Sequence, residues 1–277
     1  MRVAAALSPV ALLNALAPRA GVRRVAAAYA DGSRHGLDLY APSPVRPGAP
    51  IVVFFYGGGW EDGRRAVYRF VGATFAAHGV VAVVPDYRVY PQARFPDFIE
   101  DGARAVAWAR AHGAVHGGDP ARLFLMGHSA GAQIATLLSL DATWLGALGV
   151  DPARDVAGII GLAGPYDFLP LRSPTLRAIF GVEAGWPRSQ PINFVTADAP
   201  PMLLAAPWRD GSVDPGNTAR LAARLRDSGV RVVERNYRFA GHRTLLGALA
   251  APLTLLAPVR ADVLRFIAAP AGVPVGD

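Results

Sequence analysis

Residues 122–140 read "RLFLMGHSAGAQIATLLSL". A short bulky apolar run meets Gly127-His128-Ser129-Ala130-Gly131, and a helix-forming stretch follows at once. Apolar runs this short and continuous fit strands buried on both faces, as in a parallel sheet. The G-x-S-x-G turn between such a strand and a helix is sharp and strained. It lifts the central serine hydroxyl clear of the sheet, and the flanking glycines let strand and helix approach. This stretch therefore predicts a strand–turn–helix unit with Ser129 exposed at its corner.

The same alternation extends in both directions. Strands are predicted at 51–55, 80–84, 122–126, 156–164 and 202–206, with a partly exposed last strand at 230–237. "HGLDLYAP" (35–42) alternates apolar and polar residues, which predicts a half-exposed strand. Helical spacing appears over 65–79, 97–113, 132–140, 217–229 and 258–270. Strand and helix in repeated alternation predict an α/β fold, a mostly parallel doubly wound sheet with helices on both faces. The expected organisation is an apolar helical segment over 1–24, a single domain over 25–270 and a tail over 271–277.

Composition narrows the function. The chain has 277 residues, no cysteine and a net charge of +7. Thiol nucleophiles and thiolate metal sites are thereby excluded. All 28 basic residues are arginine, scattered along the chain in runs no longer than two, without the clustered face that nucleic acid requires. The opening "MRVAAALSPVALLNALAPRAG" has the early arginine and apolar run of a signal peptide, but Pro9 and Asn14 interrupt it and no small-x-small site follows. A helix lying on the protein and a cytoplasmic location are expected. The apolar run 244–259 contains Pro252 and Pro258 and is too short to span a membrane.

A serine hydroxyl needs a base, and the base needs an orienting acid. In this type of fold the order is serine, acid, histidine. His242, in "FAGHRTLL", is the one histidine downstream of Ser129. The acid should follow the strand at 202–206. Asp210 lies just beyond it and is preferred; Asp214, before Pro215 and a helix, is the runner-up and suits a turn or cap. Asp198 and Glu183 precede that strand and fit less well. Acyl transfer creates an oxyanion that preorganised N–H groups stabilise. Ala130, next after the serine, supplies one. The others are expected from "YGGGW" (56–60), where a Cβ would hold the substrate oxygen off the backbone. Gly58 and Gly59 are the preferred pair among its three glycines. Trp60, Trp208 and His128 are candidate substrate contacts, Trp186 a further pocket wall. The histidines and carboxylates have no metal-ligand spacing, and neither metal nor cofactor is implied.

Together these residues resemble the α/β-hydrolase superfamily, within it the esterases with an HGG(G)W-type oxyanion loop: hormone-sensitive-lipase-like carboxylesterases and kynurenine formamidase. The likeness covers about residues 25–270, through "VVFFYGGGWEDG", "VVPDYRVYPQARFPDFIEDGARAVAW", "DPARLFLMGHSAGAQIA", "LAGPYDF", "PMLLAAPWRDGSVDPGNTARLAARLRDSGV" and "AGH". It implies Ser129 as nucleophile, Asp210 as acid and His242 as base, with Asp86, Tyr87, Arg88 and Asp101 as scaffold. Two positions depart from the pattern. Tyr56 stands where these families carry a histidine, and Ala206-Pro207 replaces their His-Gly before the acid loop. The implied activity is hydrolysis of small-molecule carboxylic esters through an acyl-enzyme. The apolar segments 1–18 and 244–257 suit either the cavity mouth, where they favour a hydrophobic substrate, or plain core. An amidase of the arylformamidase type shares the machinery, and a non-catalytic binding protein shares the scaffold.

Overall fold

The computed structural model describes residues 9–269. Residues 1–8 of the expected N-terminal segment, the expected tail and the last residue of the helix expected over 258–270 lie outside the described residues. An eight-stranded sheet runs in the order β1-β2-β4-β3-β5-β6-β7-β8. The strands are β1 (Val22–Ala28), β2 (Gly36–Pro42), β3 (Ala49–Phe55), β4 (Val81–Pro85), β5 (Gly118–His128), β6 (Gly158–Leu162), β7 (Met202–Pro207) and β8 (Val232–Tyr237). β1 and β2, and β2 and β4, pair antiparallel; every other neighbouring pair is parallel.

Most of the parallel strands are continuous apolar runs. β3, β4, β6 and β7 are buried throughout. The main helices are α1 (Pro9–Ala15), α2 (Arg69–Ala77), α3 (Asp97–His112), α4 (Ala130–Leu140), α5 (Pro174–Phe180), α6 (Gly216–Asp227), α7 (His242–Gly247) and α8 (Val259–Ala268). The crossover from β3 to β4, through α2, runs opposite to those from β5 to β8. Right-handed crossovers in opposite directions put the connecting helices on opposite faces.

The direction of the crossovers reverses between the parallel neighbours β3 and β5, the switch point where α/β sheets gather ligands at the carboxyl ends of their strands. Phe55 at the end of β3 is level with Gly127 near the end of β5. The glycine loop and Ser129 are therefore neighbours by strand register. At the far side, Pro207 of β7 is level with Tyr237 of β8, so the segments carrying Asp210 and His242 also leave the sheet side by side.

Two sequence-based expectations need correction. The alternating stretch at 35–42 is not half-exposed: all but the end residues of β2 are buried. Its Asp38 is tolerated there because Arg24, on β1, donates two 2.9 Å hydrogen bonds to it and Arg65 lies within 3.4 Å. The segment 1–24 is not helical throughout: α1 ends at Ala15 and β1 begins at Val22, so a boundary at 24 cuts a strand.

Candidate active site

Ser129 has φ 55° and ψ −126°. A left-handed non-glycine residue of this kind stores about 1–3 kcal/mol and persists only where its surroundings fix it. Here the Ser129 N–H donates to the Leu162 carbonyl of β6 (2.9 Å), and its own carbonyl accepts from the Ala132 N–H of α4 (2.9 Å). A Cβ on Gly127 would strike the Gly131 backbone, and one on Gly131 the backbone of Phe55 and Tyr56. The two glycines thus allow β5, α4 and the end of β3 to close on the serine.

His242 begins α7, and its Nδ1 donates to Asp210 Oδ2 at 2.7 Å. With that nitrogen carrying the proton, Nε2 of the neutral ring keeps its lone pair, the tautomer a general base needs. The Asp210 side chain is 1% exposed. Its Oδ1 accepts from the N–H groups of Ser212 (2.8 Å) and Val213 (3.0 Å). Asp214 is engaged elsewhere: it accepts from the Gly216 N–H (2.9 Å) and from Arg220 (3.2 Å), which hold its carboxyl below the usual range. The geometry thus gives the histidine to Asp210 and a turn to Asp214.

His128 is fully buried and touches the same histidine. Its Nε2 donates to the His242 carbonyl (2.8 Å), and the two rings lie 4.8 Å apart. Burial, with the neighbouring His242, pushes its pKa down to about 4, so it is neutral near pH 7. The residue before Ser129 is therefore a tether to the backbone of His242, a role that sequence reasoning did not foresee.

The glycine loop folds over the serine. A Cβ on Gly57 would lie 2.9 Å from Ser129 Cβ. Gly58 and Gly59 follow with φ of 142° and 62°, and the Gly58 carbonyl accepts from Glu61 (3.1 Å) and Asp62 (3.0 Å) to close the turn. Tyr56 braces the loop from below. Its ring is stacked between Tyr68 (5.1 Å) and Tyr87 (4.7 Å), its hydroxyl donates to Asp86 (2.9 Å), and the Tyr87 hydroxyl donates to its carbonyl (2.7 Å). Asp86 also accepts from Arg65. Burial pushes the Tyr56 phenol far above its ordinary value. Asp101 serves the scaffold, accepting from Arg88 (2.8 Å) and His35 (3.1 Å).

Ser129, Ala130, His242, the three glycines and His128 line one cavity of about 1350 Å3. Trp60, Phe168 and Leu176 form one apolar wall, with Trp60 stacked on Phe168 at 5.7 Å and held by Gln133 at 3.2 Å. Val10 and Leu13 of α1, with Val67, Phe70 and Leu246, form another. Two expected contacts lie elsewhere. Trp208 is 60% exposed and lines a separate shallow pocket: its N–H continues the β7–β8 pairing to Tyr237, and Arg238 sits over its ring at 5.4 Å. Trp186 is buried core, its indole donating to the Gly181 carbonyl (2.9 Å). Asn217 was missed: its Oδ1 holds the backbone of Tyr166 and Asp167 (2.8 Å each) and so fixes the loop bearing Phe168. Among the described residues no group of three or more His, Asp or Glu is placed to hold a metal ion, and no helix is long and apolar enough to cross a membrane.

Comparison with known proteins adds an independent line. A family model described as BD-FAE matches residues 37–225. A probable isoprenylcysteine alpha-carbonyl methylesterase ICME of Oryza sativa subsp. japonica is 33% identical over 142 residues, 50% of this chain and 34% of that protein. Esterase LipC of Mycobacterium tuberculosis is 31% identical over 232 residues, 77% of this chain and 57% of LipC. The chain thus spans between about a third and somewhat over half of the length of these curated relatives. Among solved structures, a C6-C4 SN3 inhibited esterase B from Lactobacillus rhamnosis matches with a TM-score of 0.79 at 19% identity, covering 95% of this chain and 92% of that one; the likeness is one of fold.

Proposed function

The chain belongs to the BD-FAE family, and from that premise we propose that it is a carboxylic-ester hydrolase working through an acyl-enzyme on Ser129. One observation carries the reading: the 2.7 Å Asp210–His242 pair opens onto the same cavity as the strained Ser129 elbow. The curated relatives named above are esterases, which supports ester over amide cleavage.

In this scheme Ser129 Oγ attacks the ester carbonyl while His242 Nε2 takes its proton. Asp210 fixes the tautomer and steadies the imidazolium that forms. The oxyanion is met by the N–H of Ala130 and by those of the glycine loop, Gly58 and Gly59 first. Collapse breaks the bond to the alcohol oxygen, which receives the proton from His242, and water then releases the acid by the reverse roles. The apolar walls favour a hydrophobic chain on the substrate.

A chain-length series of p-nitrophenyl esters on wild type and Ser129→Ala tests this. The expected result is ester turnover in wild type and none above background in the variant. A fluorophosphonate probe should label wild type only; failure to label wild type argues for a binding protein. Turnover of N-formyl anilides in preference to esters would move the reading to an amidase.

A further inference from the structure

Five arginines line the cavity, and they fall into two groups. Arg34 and Arg220 are committed. Arg34 donates to the carbonyls of Tyr87 (2.8 Å) and Gly63 (2.7 Å), and Arg220 binds Asp167 (2.6 Å) and Asp214 (3.2 Å). Arg64, Arg172 and Arg243 are exposed, and their guanidinium groups make no hydrogen bond or ion pair among the described residues. They come from three directions: Arg64 follows the glycine loop, Arg172 lies on the segment between β6 and α5, and Arg243 is the residue after His242.

The carboxylates of the cavity do not offset them. Asp167 and Asp214 are taken by Arg220. Asp62 alone is unpaired, and one of its oxygens accepts the Gly63 N–H (2.6 Å). Three free cations against one carboxylate leave the mouth positive at any pH near neutrality, because guanidinium does not titrate there. A low-dielectric cleft lined by one sign of charge concentrates the opposite sign, and the planar guanidinium fork matches a carboxylate.

We propose that the cavity selects esters whose acyl chain ends in a carboxylate, the chain lying along the apolar wall of Trp60 and Phe168 and the anion meeting Arg64, Arg172 and Arg243. This rests on the ester-hydrolase reading and adds a substrate class to it. The arginines act on binding and encounter, and take no part in proton transfer.

The test compares three p-nitrophenyl esters of similar length: the adipate monoester (anionic), the heptanoate (neutral) and the 6-(trimethylammonio)hexanoate (cationic). At low ionic strength kcat/KM should favour the adipate over the heptanoate by about tenfold, as a few exposed pairs and a focused field provide. The cationic ester should be the poorest. Raising salt to 0.5 M should shrink the preference severalfold. In Arg64→Gln/Arg172→Gln/Arg243→Gln the adipate-to-heptanoate ratio should fall to near one, and the ratio itself cancels any general loss of activity. If the triple variant does not fold, each single variant should lower the ratio by itself. A ratio near one in wild type, or an unchanged ratio in the variants, overturns the proposal. Calorimetric titration of Ser129→Ala with the same monoesters reads binding without turnover. No turnover of any ester with tighter adipate binding defeats the hydrolase reading alone, and equal binding of adipate and heptanoate defeats the anion selection.

Discussion

Replacing Gly57 with alanine should disable the proposed oxyanion loop while leaving every side chain of the proposed triad in place. The backbone of Gly57 lies outside the left-handed region, so alanine meets no conformational penalty; the conflict is one of space alone. The new methyl would sit 2.9 Å from Ser129 Cβ, 3.0 Å from the His128 carbonyl oxygen and 3.1 Å from His128 Nδ1. Non-bonded carbons rest at roughly 3.5–4.0 Å. The deficit is therefore about 0.6–1 Å, and its partners are rigid: the elbow backbone is pinned to β6 and α4, and His128 is buried and bonded. The loop must retreat from the serine. A displacement near 1 Å at the reacting centre costs on the order of 10²-fold, and loss of one oxyanion donor costs about 10²–10³-fold. We expect kcat on p-nitrophenyl butyrate to fall about 10²-fold with KM changed little, and a stability loss of about 1–3 kcal/mol from overpacking. Gly146→Ala, where a Cβ meets nothing within 4 Å, is the control and should keep wild-type kcat. A folded Gly57→Ala enzyme with kcat within threefold of wild type would refute the reasoning.

Three further outcomes follow from the same geometry. Asp210→Asn should lower kcat by about 10³–10⁴-fold, whereas Asp214→Asn, which loosens a surface turn, should leave kcat within about threefold; steady-state kinetics on both variants decides. Tyr56→Phe removes the bond to Asp86 and should lower kcat more than tenfold at unchanged KM, as for a distorted oxyanion loop; equal kcat would show that the aromatic stack suffices. The His128 pKa of about 4 lies below its ordinary 6.5, so the unfolded chain binds more protons between those values. Stability is therefore full above about pH 6.5 and falls by about 3 kcal/mol as the pH drops to 4. Denaturant melts across this window should show the fall, and His128→Gln should remove most of it.

Much of the scaffold was legible because burial on both faces leaves a plain mark. β3, β4, β6 and β7 are unbroken apolar runs, and the G-x-S-x-G turn announces its neighbours. β2 misled because its alternation, normally a sign of one wet face, comes here from Asp38, which Arg24 and Arg65 neutralise from distant parts of the chain. β1 was hidden inside a segment whose composition suits a helix. At the site, the choice of Asp210 over Asp214 was reachable from position, and the geometry gives the physical ground: one carboxylate meets the histidine and the other meets Arg220. The tryptophans were less tractable. Residue type says that Trp60, Trp186 and Trp208 carry large rings, but only the backbone path decides which ring lines the cavity, which the core and which the solvent. The His128 tether had no sequence signal beyond adjacency, since it depends on where a loop more than a hundred residues later returns.

The phenol at position 56 has a consequence for how acid affects the proposed site. A histidine in that place would gain charge within about pH 5–8 and would put an ionisation of its own into any rate profile there. The buried phenol stays uncharged far beyond that range. The strut under the glycine turn is thus inert to protons near neutrality, and Tyr56 adds no ionisation of its own to a rate curve in that range.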